Sequence, residues 1–130
     1  VGFGRKVLQI LEDLNISFEH MPTGIDDLSI VLREKELTPI KEQEILNYLT
    51  RKLEVDYVDI QHNLSTIVIV GENMKSQIGV TATATQALSR EKINITMISQ
   101  GSSEVSIMFV INSKDEKRAI KALYETFFQK

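Results

Sequence analysis

The sequence has no cysteine and no tryptophan, and only two prolines and six glycines among its 130 residues. Without thiols there is no disulfide framework, no thiolate metal ligand and no cysteine nucleophile. This fits a reducing compartment, and a cytoplasmic protein is expected. With so little proline and glycine, no stretch has the composition of a flexible linker, so any two units are expected to pack together. Cations are not in excess either: 15 Lys and Arg face 18 Asp and Glu, for a net charge of −3, and the basic residues are scattered. The electrostatic footprint of a nucleic-acid or anionic-membrane binder is therefore missing. No apolar run approaches the roughly 20 residues that span a bilayer, and no signal-peptide pattern opens the chain. The first residue is Val1 rather than methionine, so a processed chain or a fragment is expected.

What is present is a normal hydrophobic share of 42%, enough for a folded core, in a length that suits one domain or two small ones. The most informative stretch runs from Ile67 to Ile111. It opens on Ile67-Val68-Ile69-Val70, whose forked side chains favour extended backbone. Val80, Ala84, Ala87 and Leu88 then recur at helical spacing. Two short apolar runs follow, joined by the turn Gln100-Gly101-Ser102-Ser103-Glu104. An amphipathic tail with Ile120, Leu123, Tyr124 and Phe127 on one face completes the order β-α-β-β-α. Ser113 and Glu116 have the spacing of a capping box for that last helix. This order is most of a ferredoxin-like split βαβ unit.

The upstream half reads as a degenerate copy. Val7, Ile10, Leu11 and Leu14 share a helix face, and Asn15 suits the left-handed residue past a helix end. Residues 16–20 alternate as a strand, Met21-Pro22-Thr23-Gly24 is turn chemistry, and residues 27–32 form a second strand. Thr38-Pro39 starts a helix with Ile45, Leu46, Leu49 and Leu53 inward. Residues 54–60 are expected to form a closing strand, with Val58 and Ile60 inside. Sliding the chain against itself by 77 residues superposes Gly2 on Gly79, Leu11 on Leu88 and Gly24 on Gly101. Pairing Asn15-Ile16 with Asn94-Ile95 needs a shift of 79, hence a two-residue gap. The fold class expected is α+β: two ferredoxin-like βαββαβ units packed together, residues 1–63 and 64–130. Copy one lacks its first strand and copy two its fourth, and residues upstream of Val1 are expected to supply both.

The phrase Asn94-Ile95-Thr96-Met97-Ile98-Ser99-Gln100-Gly101-Ser102-Ser103-Glu104, with Gly79-Val80 before it and Ser106-Ile107 after, closely resembles the second ACT domain of aspartate kinases. Gly2-Phe3, Asn15-Ile16-Ser17 and Leu28-Ser29 resemble the first. The segment Glu19 to Asp27 looks like the single-function enzymes of low-GC Gram-positive bacteria. The resemblance covers essentially the whole chain. It implies a kinase domain elsewhere in the protein, phosphorylating aspartate with ATP, and a regulatory part that dimerises and binds lysine or threonine. No cofactor and no nucleic-acid or membrane partner is expected for this part. In such proteins one ACT unit is commonly inserted within the other, which agrees with the missing strands.

An amino-acid effector site is expected at Gly2, Phe3 and Gly4 with Phe18, Glu19, His20, Asp26 and Asp27. A helix start offers free amides to a carboxylate, and glycine allows close approach. Carboxylates can pair an ammonium group. The plainer reading makes Glu19 a solvated strand residue and Asp26-Asp27 turn polarity, because charged residues are mostly exposed; the resemblance favours the site for Glu19 and the glycines. Three acidic groups suit lysine, with its second positive charge. Threonine needs hydroxyl partners, for which Gln77, Ile78 and Asn94 offer a second site, although a loop Gln and a helix-ending Asn are the favoured readings of two of these. His20 and His62 have no ligand-spaced partners, Gly71 to Ser76 falls short of a phosphate-binding loop, and no catalytic group stands out. Rival readings are a stand-alone ACT sensor acting on another enzyme or a transcription factor, an RNA-binding ferredoxin-like domain without the required aromatics, and an acylphosphatase with only Arg5 to bind an anion.

Overall fold

The computed structural model describes residues 1–71, 78–101 and 106–128. Two compact units divide it, Val1–His62 and Asn63–Lys130. In the first, α1 (Phe3–Asp13) leads to a short antiparallel pair, β1 (Phe18–His20) and β2 (Val31–Leu32), followed by α2 (Pro39–Asn47). The amphipathic spacing of α1 has the expected result: Val7 and Leu11 are buried. Leu11, Ile16 and Ile45 form a small core against which Leu8, Leu14, Leu32 and Leu49 pack. Asn15 turns the chain with φ 57°, and the Ile16 amide donates to the Leu11 carbonyl at 2.8 Å. Thr38 caps α2 by accepting from the Lys41 amide at 3.2 Å, with Pro39 in the first turn.

The two strands of this unit are shorter than their alternation implies. Between them the chain folds on itself: the Gly24 amide donates to the Asp27 carbonyl and the Ser29 amide to the Pro22 carbonyl, each at 2.9 Å. Only the isolated bridge Thr23–Leu28 extends the ladder. Residues 54–60, expected as a strand, are not one. Val58 and Ile60 keep their half-buried places while Tyr57 and Asp59 stay exposed, so the alternation is real but the ladder is absent. A strand exists only by pairing, and among the described residues no ladder partner lies beside this segment.

The second unit has β3 (Leu64–Val70), α3 (Val80–Arg90), β4 (Ile95–Gln100), β5 (Ser106–Asn112) and α4 (Glu116–Phe128). Its antiparallel sheet has the order β3-β5-β4, the order of a split βαβ unit in which the β-α-β pair is parted by a later strand. Being central, β5 is buried along most of its length, with Ile107, Phe109 and Ile111 fully enclosed. Ala84, Ala87 and Leu88 of α3 and Ala119 and Leu123 of α4 complete the core; alanine at these places lets the helices lie close to the sheet.

One detail of α4 differs from expectation. Its inward column is Ala119, Leu123 and Phe127, whereas Ile120 and Tyr124 are 50% and 54% exposed. Tyr124 instead lies against Phe128, ring centroids 5.4 Å apart. The helix is turned by an anchor at its start: Arg118 donates to the Glu91 carbonyl and to the buried Asp115 carboxylate, both at 2.6 Å. The single 3₁₀ turn Ser113–Asp115 leads into it, capped by Asn112, whose side chain accepts from the Lys114 amide at 3.1 Å. No helix of the described residues is long and apolar enough to cross a membrane.

Candidate effector-binding site

The start of α1 has the geometry an anionic group needs. Gly2 caps the helix with φ 82°, a left-handed conformation natural to glycine. The first intrahelical bond runs from the Lys6 amide to the Gly2 carbonyl at 3.1 Å, which leaves the amides before it without an intrahelical acceptor. No atom lies within 4 Å of where a Cβ would stand on Gly2 or Gly4, so backbone is accessible there. Phe3 is partly exposed beside them.

Glu19 is set apart by a bulge. Phe18 pairs with Leu32 and His20 with Val31, which are adjacent, so Glu19 is the extra residue on β1. Bulges re-aim side chains and break alternation, and here Phe18 and Glu19 are both exposed while His20 is half-buried. The Glu19 carboxylate forms an ion pair with Arg33, immediately after β2. The hydrogen bond to Glu19, and then its charge, raise the Arg33 pKa above the ordinary arginine value. Glu36 adds to the negative field around Arg33, and one of its carboxylate oxygens is buried without a hydrogen-bond partner among the described residues.

The other expected residues are dispersed. Phe18 lines an open groove of about 520 Å³ with Leu8, Leu11, Glu12 and Asn15, at the C-terminal half of α1 rather than at its start. Asp26 and Asp27 are exposed in the turn between β1 and β2. The Asp27 carboxylate lies over Gly24, close to where a Cβ would stand. In the second unit, Gln77 falls outside the described residues, Ile78 is fully exposed, and Asn94 is exposed just before β4.

Arg33, Glu36 and the bulge were not singled out from sequence. The bulge recurs in the repeat. Phe18 and His20 on β1 correspond at a shift of 77 to Ile95 and Met97 on β4, which have the same irregularity. Their partners Leu32 and Val31 correspond to Ile111 and Val110 at a shift of 79. The two-residue gap therefore lies between the strands. Asn15-Ile16 consequently match Lys92-Ile93, not Asn94-Ile95: Lys92 also has φ 57°, and the Ile93 amide donates to the Leu88 carbonyl at 3.0 Å. Thr96 is the counterpart of Glu19.

Residues 67–127, most of the second unit, match the ACT domain family. Aspartokinase 3 of Bacillus subtilis is 44% identical over 128 residues, which are 98% of this chain and 28% of that protein. The crystal structure of Clostridium acetobutylicum aspartate kinase superposes with a TM-score of 0.93 at 37% identity, over 98% of this chain and 29% of that one. The ligand-free regulatory subunit of Thermus thermophilus aspartate kinase superposes with a TM-score of 0.79 at 26% identity, over 97% of this chain and 82% of that one. The chain is homologous to the regulatory C-terminal part of the aspartokinases. It spans less than a third of the length of the curated relatives it matches.

Proposed function

We propose that this chain is the allosteric sensor of an aspartate kinase: it binds an end-product amino acid, lysine in the first instance, and feeds back on ATP-dependent phosphorylation of aspartate by a kinase domain of the same protein. Two ACT units, residues 1–63 and 64–130, divide the task, and the chain acts as a homodimer or larger assembly. The observation that carries the reading is Glu19. It is the extra residue of a bulge, it is exposed, and it already holds a cationic side chain. The effector's carboxylate takes the amides at the start of α1, and an ammonium group takes Glu19. An effector regulates only through unequal affinity for active and inactive states, so the site needs a carboxylate exposed enough to change partners.

A second reading is supported by Thr96, which occupies the duplicated bulge with a hydroxyl where the first unit has a carboxylate. A neutral hydroxyl effector such as threonine suits that position, two residues after Asn94. Calorimetry of lysine and of threonine against this chain separates the two. Lysine heat that is lost in Glu19→Gln supports the first reading; threonine heat lost in Thr96→Val supports the second. No heat from either amino acid overturns both.

A further inference from the structure

We propose that Arg33 is a tethered rival for the effector's ammonium group at Glu19, and that Glu36 receives Arg33 when the effector displaces it. This rests on the reading of Glu19 as the effector's carboxylate, and adds to it a residue that sets affinity and a route by which occupancy reaches the rest of the unit. Three features of the first unit carry the inference.

Arg33 occupies the carboxylate now. Its Nε donates to Glu19 across the β1–β2 pair, and both side chains are substantially solvent-exposed. An exposed ion pair is a weak one, so it can be exchanged for a ligand that brings further contacts of its own. A second carboxylate also stands ready. Residues Glu34–Glu36 form a single 3₁₀ turn entered from Arg33, with the Glu36 amide donating to the Arg33 carbonyl at 3.0 Å. Arg33 is extended as it enters that turn, with ψ 130°, and Glu36 lies close enough to add to the negative field around its guanidinium. One Glu36 oxygen is buried with no hydrogen-bond partner among the described residues, and a buried acceptor left unpaired is unfavourable. Moving the guanidinium from Glu19 to Glu36 satisfies that oxygen.

The third feature is position. Arg33 follows β2 directly and precedes the turn that leads into α2, so its change of partner loosens the tie between β1 and β2 and tightens the turn after them. The second unit lacks the device. The residue matching Arg33 at the shift of 79 is Asn112, whose side chain is occupied in capping the following turn, and the bulge residue there is Thr96. The rivalry is thus specific to the first unit.

The test is a lysine titration by calorimetry of the wild-type chain, Arg33→Gln, Glu36→Gln, the Arg33→Gln/Glu36→Gln double variant and Glu19→Gln, each checked for an unchanged melting midpoint. Removing the rival should tighten lysine binding roughly two- to five-fold, the range set by an exposed ion pair. Glu36→Gln should weaken binding in the wild-type background and have no effect in the Arg33→Gln background. Arginine Nε–H resonances give a readout independent of lysine: Arg33 should keep slow exchange in Glu19→Gln through Glu36, and lose it in the Glu19→Gln/Glu36→Gln double variant. Binding that needs Glu19 but is unchanged or weakened by Arg33→Gln overturns this inference and leaves the proposed site standing. Binding unaffected by Glu19→Gln, or absent from every protein, overturns the site as well.

Discussion

Gly2 and Gly79 are the same residue twice: 77 positions apart, with φ 82° and 86°, each capping an 11-residue helix. The equivalence continues to the other ends of those helices, where Asn15 and Lys92 both have φ 57°. The repeat is therefore written in backbone conformation, not only in hydrophobic pattern. Alanine at Gly79 meets no steric obstacle, so its cost is conformational, on the order of 1 kcal/mol. Urea unfolding of Gly79→Ala is expected to show a lower midpoint with an unchanged slope.

Lys92→Gly is expected to move stability the other way. Glycine relieves a left-handed conformation that costs a side-chain-bearing residue about 1–2 kcal/mol, and forfeits about 0.4–1 kcal/mol through the freer unfolded chain. The net gain, several tenths of a kcal/mol, is measurable as a raised thermal midpoint.

The facing of α4 is tested by a contrasting pair. Leu123 lies in the core and Ile120 is half-exposed. Leu123→Ala should cost about 2–5 kcal/mol, whereas Ile120→Ala should change stability by about 0.5 kcal/mol or less. Equal losses in the two variants would restore the face that helical periodicity alone proposed.

That contrast also shows where the sequence stops being legible. The stripe on α1, the alanines on α3 and the order β-α-β-β-α follow from spacing, because burial of apolar side chains sets all of them. On α4 the apolar residues cover more than one face, and the choice between Ala119 and Ile120 falls to polar anchors, Arg118 on Glu91 and Asp115, which leave no periodic trace. Residues 54–60 have a strand's alternation without a strand, since a ladder depends on a partner rather than on the segment itself. The carboxylate at Glu19 was legible as a candidate. Its bulge leaves no mark in the hydrophobic pattern, because a bulge is a property of strand register, and Arg33 and Glu36 are unremarkable among scattered charges.

Arg118→Met tests the anchor. It leaves the Asp115 carboxylate, buried in the fold, without its guanidinium, a loss of about 1–3 kcal/mol. Asp115→Asn added to Arg118→Met should recover part of it, because an amide is less costly to bury than an unpaired charge. Chemical denaturation of the two variants checks the order.

The central claim is that Glu19 faces the effector. Its most direct test is calorimetric titration of lysine into the wild-type chain and Glu19→Ala under identical buffer and salt. Loss of a charge-assisted hydrogen bond is expected to weaken affinity by about 10- to 150-fold, with the thermal midpoint of the exposed-site variant essentially unmoved. Equal lysine affinity in the two proteins would contradict the account and remove Glu19 from the site.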